Sequence, residues 1–328
     1  MDISTARDLL ASRRQLERRG VTARDLAARV GRGELVRLDH SCYMDASSWS
    51  GLYSEGRHLM RVLAAEQRSS GRSSLVFSHT SAAVLWGLPL FRVEPARVHV
   101  SGSAASGHVS ASRPLVARHD VAVSAGEVVE NHGIRFTNLP RTVADVLRGA
   151  TEETGLAMAD AALRQVAWDE ATRSYDTARA FELRERIHSC LPPGGRGVRR
   201  ARHVLELADG RAESTGESVS RLYLLELGFA PPRLQVPIPS PHGGIYHVDF
   251  GLDDAAAWGE YDGEGKYSDA AMRGEGVDGH QVLLAEKQRE DWIRATTNRK
   301  FPRWGKAHTT SAAALGARLS AFSVSPPR

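Results

Sequence analysis

Cysteine is almost missing from this chain: Cys42 and Cys190 are its two, far apart in sequence. That excludes a disulfide-stapled scaffold and a cysteine zinc site, and it fits a reducing, cytoplasmic setting. There is no run of roughly eighteen apolar residues, so no membrane span and no membrane partner are expected. The opening Met1-Asp2-Ile3-Ser4 has neither the basic nor the apolar region of a signal peptide. A strong net charge is missing too. The balance is only +4 despite a pI near 9.3, so a nucleic-acid surface must be local rather than global. What is present is enough apolar material, 41% of 328 residues, to exclude global disorder and to fill two or three domains.

The first local surface of that kind lies between Arg13 and Arg37. Eight arginines (13, 14, 18, 19, 24, 29, 32 and 37) face three acids there, Glu17, Asp25 and Glu34. Leu9, Leu10 and Leu16 read as one apolar helical stripe. Thr22 caps a second helix over 23–30, whose apolar positions are Leu26, Ala27 and Val30. Residues 34–38 and 42–44 then read as two short strands. Helix, turn, helix, wing is the order of a winged helix-turn-helix over 1–50. Arg13, Arg14, Arg24, Arg29, Arg32 and Arg37 are its candidate DNA contacts, with a solvated helix face as the plain alternative.

A linking helix is expected over 54–69, inside a mixed α/β region running over 54–148. Short strands are expected near 75–77, 97–100, 115–119, 127–130 and 133–137. Ser78-His79-Thr80-Ser81 can cap a helix over 82–86, and Asn138 with Pro140 opens one over 141–148. Residues 101–112, rich in Ser, Gly and Ala, read as a loop. Residues 150–204 read as a helical connector with helices over 154–166 and 177–188, broken by Pro192-Pro193-Gly194-Gly195-Arg196-Gly197. His79, His99, His119 and His132 have no metal-ligand spacing and read as structural or surface residues. Trp86, Trp258 and Trp304 read as core.

The last third, 205–328, has the rhythm helix, three strands, helix, strand, helix, an α/β sandwich. Glu260 and Asp262 alternate onto one face of a strand, and a hairpin brings Asp249 alongside. Carboxylates converging there repel one another unless a cation intervenes. Oxygen ligands of that kind suit Mg²⁺, with Mn²⁺ as a substitute. For Asp262-Gly263 a turn is the other reading. For Glu217, in the first turn of a helix over 214–227, favourable placement near the helix dipole is the other reading.

Taken together, Gly216-Glu217-Ser218, Pro232-Arg233-Leu234-Gln235, Val248-Asp249-Phe250, Glu260-Tyr261-Asp262-Gly263 with Lys266-Tyr267, and Glu286-Lys287-Gln288-Arg289-Glu290-Asp291 resemble the very-short-patch-repair-like branch of the PD-(D/E)XK nuclease superfamily. The resemblance implies a restriction-endonuclease-like fold. It implies Asp249 and Glu260 as principal metal ligands with Asp262 as a third, Glu217 assisting, the Tyr261 carbonyl as a further ligand, and Lys266 orienting water or stabilising the developing phosphorane charge. The lysine of the family pattern two residues after Glu260 is replaced here by Asp262.

Arg13-Arg14-Gln15-Leu16, Gly33-Glu34-Leu35-Val36-Arg37-Leu38, Tyr43, Ser78-His79-Thr80-Ser81-Ala82-Ala83 and Gly87-Leu88-Pro89-Leu90 resemble the AbiEi family of type IV toxin–antitoxin antitoxins. That implies a DNA-binding autorepressor with a cognate toxin as partner. In place of the family's basic wing turn stands Leu38-Asp39-His40-Ser41-Cys42. Three functions follow as expectations. They are an antitoxin-type regulator carrying a nuclease-like domain, an active Mg²⁺-dependent endonuclease of defence or repair, and a toxin-neutralising interaction module.

Overall fold

The computed structural model describes residues 1–69, 75–102, 115–263 and 279–327, without the side chains of 279–283. Lys266 and Tyr267 lie outside the described residues, as do residues 103–112 of the expected loop. The chain is a multi-domain mixed α/β protein. It divides into two compact units, Met1–Met158 with Phe181–Glu206, and Ala159–Ala180 with Leu207–Arg328. The stretch 150–204, expected as a connector, is thus shared between them. Among the described residues no helix is long and apolar enough to cross a membrane.

The first unit begins with α1 (Ile3–Asp8), β1 (Ala11–Ser12), α2 (Arg13–Arg18), α3 (Ala23–Gly31), β2 (Leu35–Arg37) and β3 (Cys42–Asp45). Leu9, Leu10 and Leu16 do not share a helix. The chain leaves α1 at Asp8, with Leu9 partly exposed, and pairs Ala11 and Ser12 with Tyr43 and Cys42. Ser12 and Gln15 then form a reciprocal capping box that starts a new helix. Thr22 and Asp25 do the same for α3. Leu16, Leu26, Leu35 and Tyr43 close a small core between these helices and strands. Asp39 holds the β2–β3 turn by accepting from the N–H groups of Ser41 and Cys42 at 2.7 and 2.9 Å. The buried Cys42 thiol donates to Gln67 at 2.9 Å.

After α4 (Ala46–Ser50) and α5 (Ser54–Ser69) comes a five-stranded sheet of β4 (Val76–Phe77), β5 (Val98–Ser101), β6 (Val116–His119), β7 (Val128–Asn131) and β8 (Ile134–Thr137). Its order is β6-β5-β4-β8-β7, parallel at β5–β6 and β4–β8 and antiparallel elsewhere. Helices α6 (His79–Leu85) and α7 (Leu139–Leu147) pack on one another. Asn138 caps α7 with Pro140 in its first turn, as expected. From α5, the fully buried His58 reaches Ser81 of α6, Nε2 to Oγ 2.9 Å. α8 (Glu152–Ala167), a small hairpin of β9 (Trp168–Asp169) and β10 (Ser174–Tyr175), α9 (Thr177–Cys190) and α10 (Val198–Leu207) follow. The hairpin was not legible in the sequence.

The second unit has α11 (Thr215–Glu226) and a sheet in the order β11 (Arg233–Pro239), β12 (Ile245–Leu252), β13 (Ala257–Asp262) and β14 (Arg303–Gly305), with helices Gly279–Thr297 and Ala312–Ser320. Only β13–β14 is parallel. Val236, Ile238, Val248 and Trp258 pack with Ile293 of the long helix and with Phe301. Phe250 instead stacks on Trp304, whose indole donates to Ser220 of α11 at 2.8 Å. A regular strand would send residues 248 and 250 to one face. The change of face falls at Asp249 and at Gln235 opposite it, whose φ of +50° is left-handed. The register is unchanged across this point, so the sheet inverts locally without an inserted residue. Trp258 and Trp304 are core, and Trp86 is half-buried with its indole donating to the Thr137 carbonyl.

A buried ion pair ties α8 to α11 within this unit. Arg221 Nη2 meets both oxygens of Asp160 at 2.9 and 2.8 Å, and the Asp209 N–H donates to the same carboxylate at 2.7 Å.

Candidate functional site

The sheet register aligns the carboxylates that the sequence singled out. Leu234↔Phe250 and Val236↔Val248 bracket Gln235 opposite Asp249, and Phe250↔Gly259 sets Glu260 on the next rung beside Asp249. Glu260 in turn pairs with Arg303. Gln235, Asp249, Glu260 and Arg303 therefore form one row across four strands. Asp249 Oδ2 accepts the Tyr261 N–H at 2.8 Å, so this carboxylate takes a donor that a strand carbonyl would otherwise receive. Gln235 Nε2 lies 3.4 Å from Asp249 Oδ1 and 3.2 Å from Glu217 Oε2.

Glu217 is explained first by its helix. It is the third residue of α11. It accepts from the Ser214 hydroxyl at 2.9 Å and from the Glu213 N–H at 2.9 Å, while its own N–H donates to Ser214. Burial pushes its pKa up against the pull of those donors. Glu217 thus caps its helix and, through Gln235, is linked to Asp249.

Glu260 and Asp262 are held by arginine. Arg289 of the long helix places Nη2 2.5 Å from the buried Glu260 and also donates to the His247 carbonyl. Arg303 meets Asp262 through two nitrogens at 3.1 and 2.5 Å, Glu290 at 3.4 Å, Glu260 at 3.9 Å, and Glu286. Burial alone would lower the Arg303 pKa, but its hydrogen bonds to the Asp262 and Glu286 carboxylates outweigh it and raise the value. A buried carboxylate left alone is costly, so cations here are a physical necessity. As arranged, Arg289 and Arg303 supply the positive charge beside Glu260 and Asp262. Asp249, Glu260 and Asp262 do not bring three ligand atoms within 4.8 Å of one another, and we derive no hydrolytic step through a metal. Lys266 lies outside the described residues.

Of the candidate DNA contacts, Arg13, Arg14, Arg24, Arg32 and Arg37 are exposed and Arg29 is half-buried. Arg13 pairs with Glu17 at 2.7 Å, and Arg29 and Arg32 share Glu34 at 3.2 and 2.6 Å. Such exposed pairs are weak and exchange readily for another anion. Arg37 is directed at the β2–β3 turn, to the Asp39 carbonyl and to His40.

One grouping has no signature in linear spacing. His79, His99 and His119 lie at the start of α6, on β5 and at the end of β6, and their ligand atoms all fall within 4.8 Å of one another. Only the strand order β6-β5-β4 brings them together. His132 stays apart, in the β7–β8 turn with φ +51°.

No family model matches the chain. Two uncharacterized proteins from two strains of Mycobacterium tuberculosis are each 36% identical to it over 121 residues. That segment is 37% of this chain, which spans about 40% of the length of these curated relatives.

Proposed function

We propose that this protein binds DNA through its first 45 residues as a regulator of the antitoxin type. The observation that carries the reading is the disposition of α2 and α3. Their apolar sides close on Leu16 and Leu26, while Arg14, Arg18, Arg19, Arg24 and Arg32 remain exposed on the same two helices or at their ends. Two capped helices followed by the β2–β3 ribbon have the composition of a winged helix, and the exposed guanidinium groups suit phosphate. The second unit, with a four-stranded sheet and flanking helices, is consistent with a restriction-endonuclease-like sandwich. Neutralisation of Glu260 and Asp262 by Arg289 and Arg303 favours a role in holding rather than cutting.

A mobility-shift assay on DNA upstream of the protein's own gene tests this. Retardation should weaken with salt, because phosphate contact releases counterions. Arg24→Ala should reduce the slope of log affinity against log salt by about 1. Absence of any shift at low salt would overturn the proposal.

A second reading, an Mg²⁺-dependent endonuclease, is favoured by one observation, the row of Gln235, Asp249 and Glu260 beside the captured Tyr261 N–H. It requires Arg303 to yield its carboxylates. Nicking of supercoiled plasmid in Mg²⁺ or Mn²⁺, abolished in Asp249→Asn and Glu260→Gln, would establish it. Equal nicking by those variants would remove it.

A further inference from the structure

We infer that His79, His99 and His119 form a binding site for one divalent transition-metal ion of the zinc class. The proposal is independent of DNA binding. It stands first on geometry: three imidazoles from three adjacent elements offer ligand atoms within 4.8 Å of one another. Tetrahedral ligation at zinc–nitrogen lengths separates the nitrogens by about 3.3 Å. His99 Nδ1 and His119 Nε2, now 2.8 Å apart, lie just inside that separation.

The surroundings match a ligand set. His79 Nδ1 lies 3.0 Å from the Ser78 hydroxyl and 4.0 Å from the buried Asp145 carboxylate. The Ser78 hydroxyl thus makes the orienting contact at Nδ1 and leaves Nε2 for the metal, with the Asp145 charge close by. Asp145 is itself fixed by Arg141 at 3.0 Å. His79 has a left-handed φ of +50°, an outlier at the residue that starts α6. Burial first, then the neighbouring histidines, holds His79 down to about 3 and His99 to about 4, and burial lowers His119. Neutral rings keep a lone pair for a cation.

Binding changes two things. One of His99 and His119 donates a proton to the other in their hydrogen bond. That ring must shift its proton to its far nitrogen, a tautomer exchange with no net proton released. His79 and His119 are stacked, with centroids 3.7 Å apart and planes 15° from parallel. In-plane lone pairs cannot then meet at one ion, so these rings turn out of the stack. Three imidazoles fill three positions and leave the fourth to water. Imidazole ligation suits Zn²⁺, Co²⁺ and Ni²⁺ over Mg²⁺ or Ca²⁺.

The test uses untagged full-length protein, stripped with a chelator and titrated with ZnCl₂ by calorimetry. About one equivalent should bind, and His99→Ala and His119→Ala should weaken it on the order of 100-fold or more. His203→Ala, an exposed histidine of α10, should leave affinity unchanged. Cobalt substitution of the unaltered protein gives a readout that does not depend on how variants fold. Intense visible bands of a tetrahedral site are expected, quenched by added Zn²⁺. Pale octahedral spectra, or zinc affinity retained in both variants, would overturn the proposal.

Discussion

At the residue scale, single polar groups decide how buried charge is tolerated. Asp160 and Arg221 are each nearly inaccessible and satisfy one another through two hydrogen bonds. Asp160→Ala leaves the guanidinium buried alone and should cost about 3–5 kcal/mol, measured by urea unfolding. Arg303→Ala removes the cation that bridges Asp262, Glu286 and Glu290, while Glu260 keeps Arg289. A smaller loss, about 1–3 kcal/mol, is expected because these carboxylates are partly exposed, and millimolar Mg²⁺ should restore part of it if those oxygens accept a divalent ion. His58 gives a pH signature. Burial, then His99 and Arg61, lowers its pKa from 6.5 to about 3. The unfolded state therefore binds a proton first. Stability is full above about pH 6.5 and falls as pH drops toward 3, by up to about 1.4 kcal/mol per pH unit for this one group. His79 and His99 add to the fall in the same direction. His58→Gln should flatten the dependence measured by denaturation between pH 7.5 and 5.

At the scale of elements, close approach fixes small residues in the second sheet. A Cβ on Gly259 would meet Trp304 Cη2 at 2.4 Å, and one on Gly216 would meet the Tyr261 ring at 2.0 Å. Gly259→Ala and Gly216→Ala should each destabilise by about 1–3 kcal/mol through overpacking, read as a lowered melting temperature. Much of this level was legible beforehand. Alternation placed the strands around Asp249 and Glu260 correctly, and Thr22 and Asn138 announced their helices, because caps and strand periods are local. Leu9 misled, since an apolar stripe says nothing of a capping box that restarts the chain at Ser12. Arg303 could not be foreseen as the partner of Asp262. Only a parallel pairing between distant segments joins them. The local inversion at Gln235 escaped for a related reason: a left-handed φ at a glutamine has no compositional marker. The histidine trio required the order of three strands.

At the scale of the whole molecule, the chain does not run through its compact units in series. Residues 159–180 belong with 207–328. A fragment cut at residue 205 keeps Arg221 but loses Asp160. It should unfold at markedly lower denaturant than the same unit within the intact chain, as followed by Trp258 and Trp304 fluorescence. Composition could bound the number of domains but not this interleaving, which depends on which helix each core recruits.

The two thiols follow from that same chain economy. Cys42 is inaccessible and hydrogen-bonded, and burial followed by the nearby Asp39 charge pushes its thiol up to about 11, whereas Cys190 is partly open to solvent. Burial raises the Cys190 pKa as well, so a thiolate-seeking reagent at neutral pH should count that sulfur slowly but directly, and the other only as often as its shelter breathes. The first unit thus carries an intrinsic clock for its own transient openings, readable without introducing a single label.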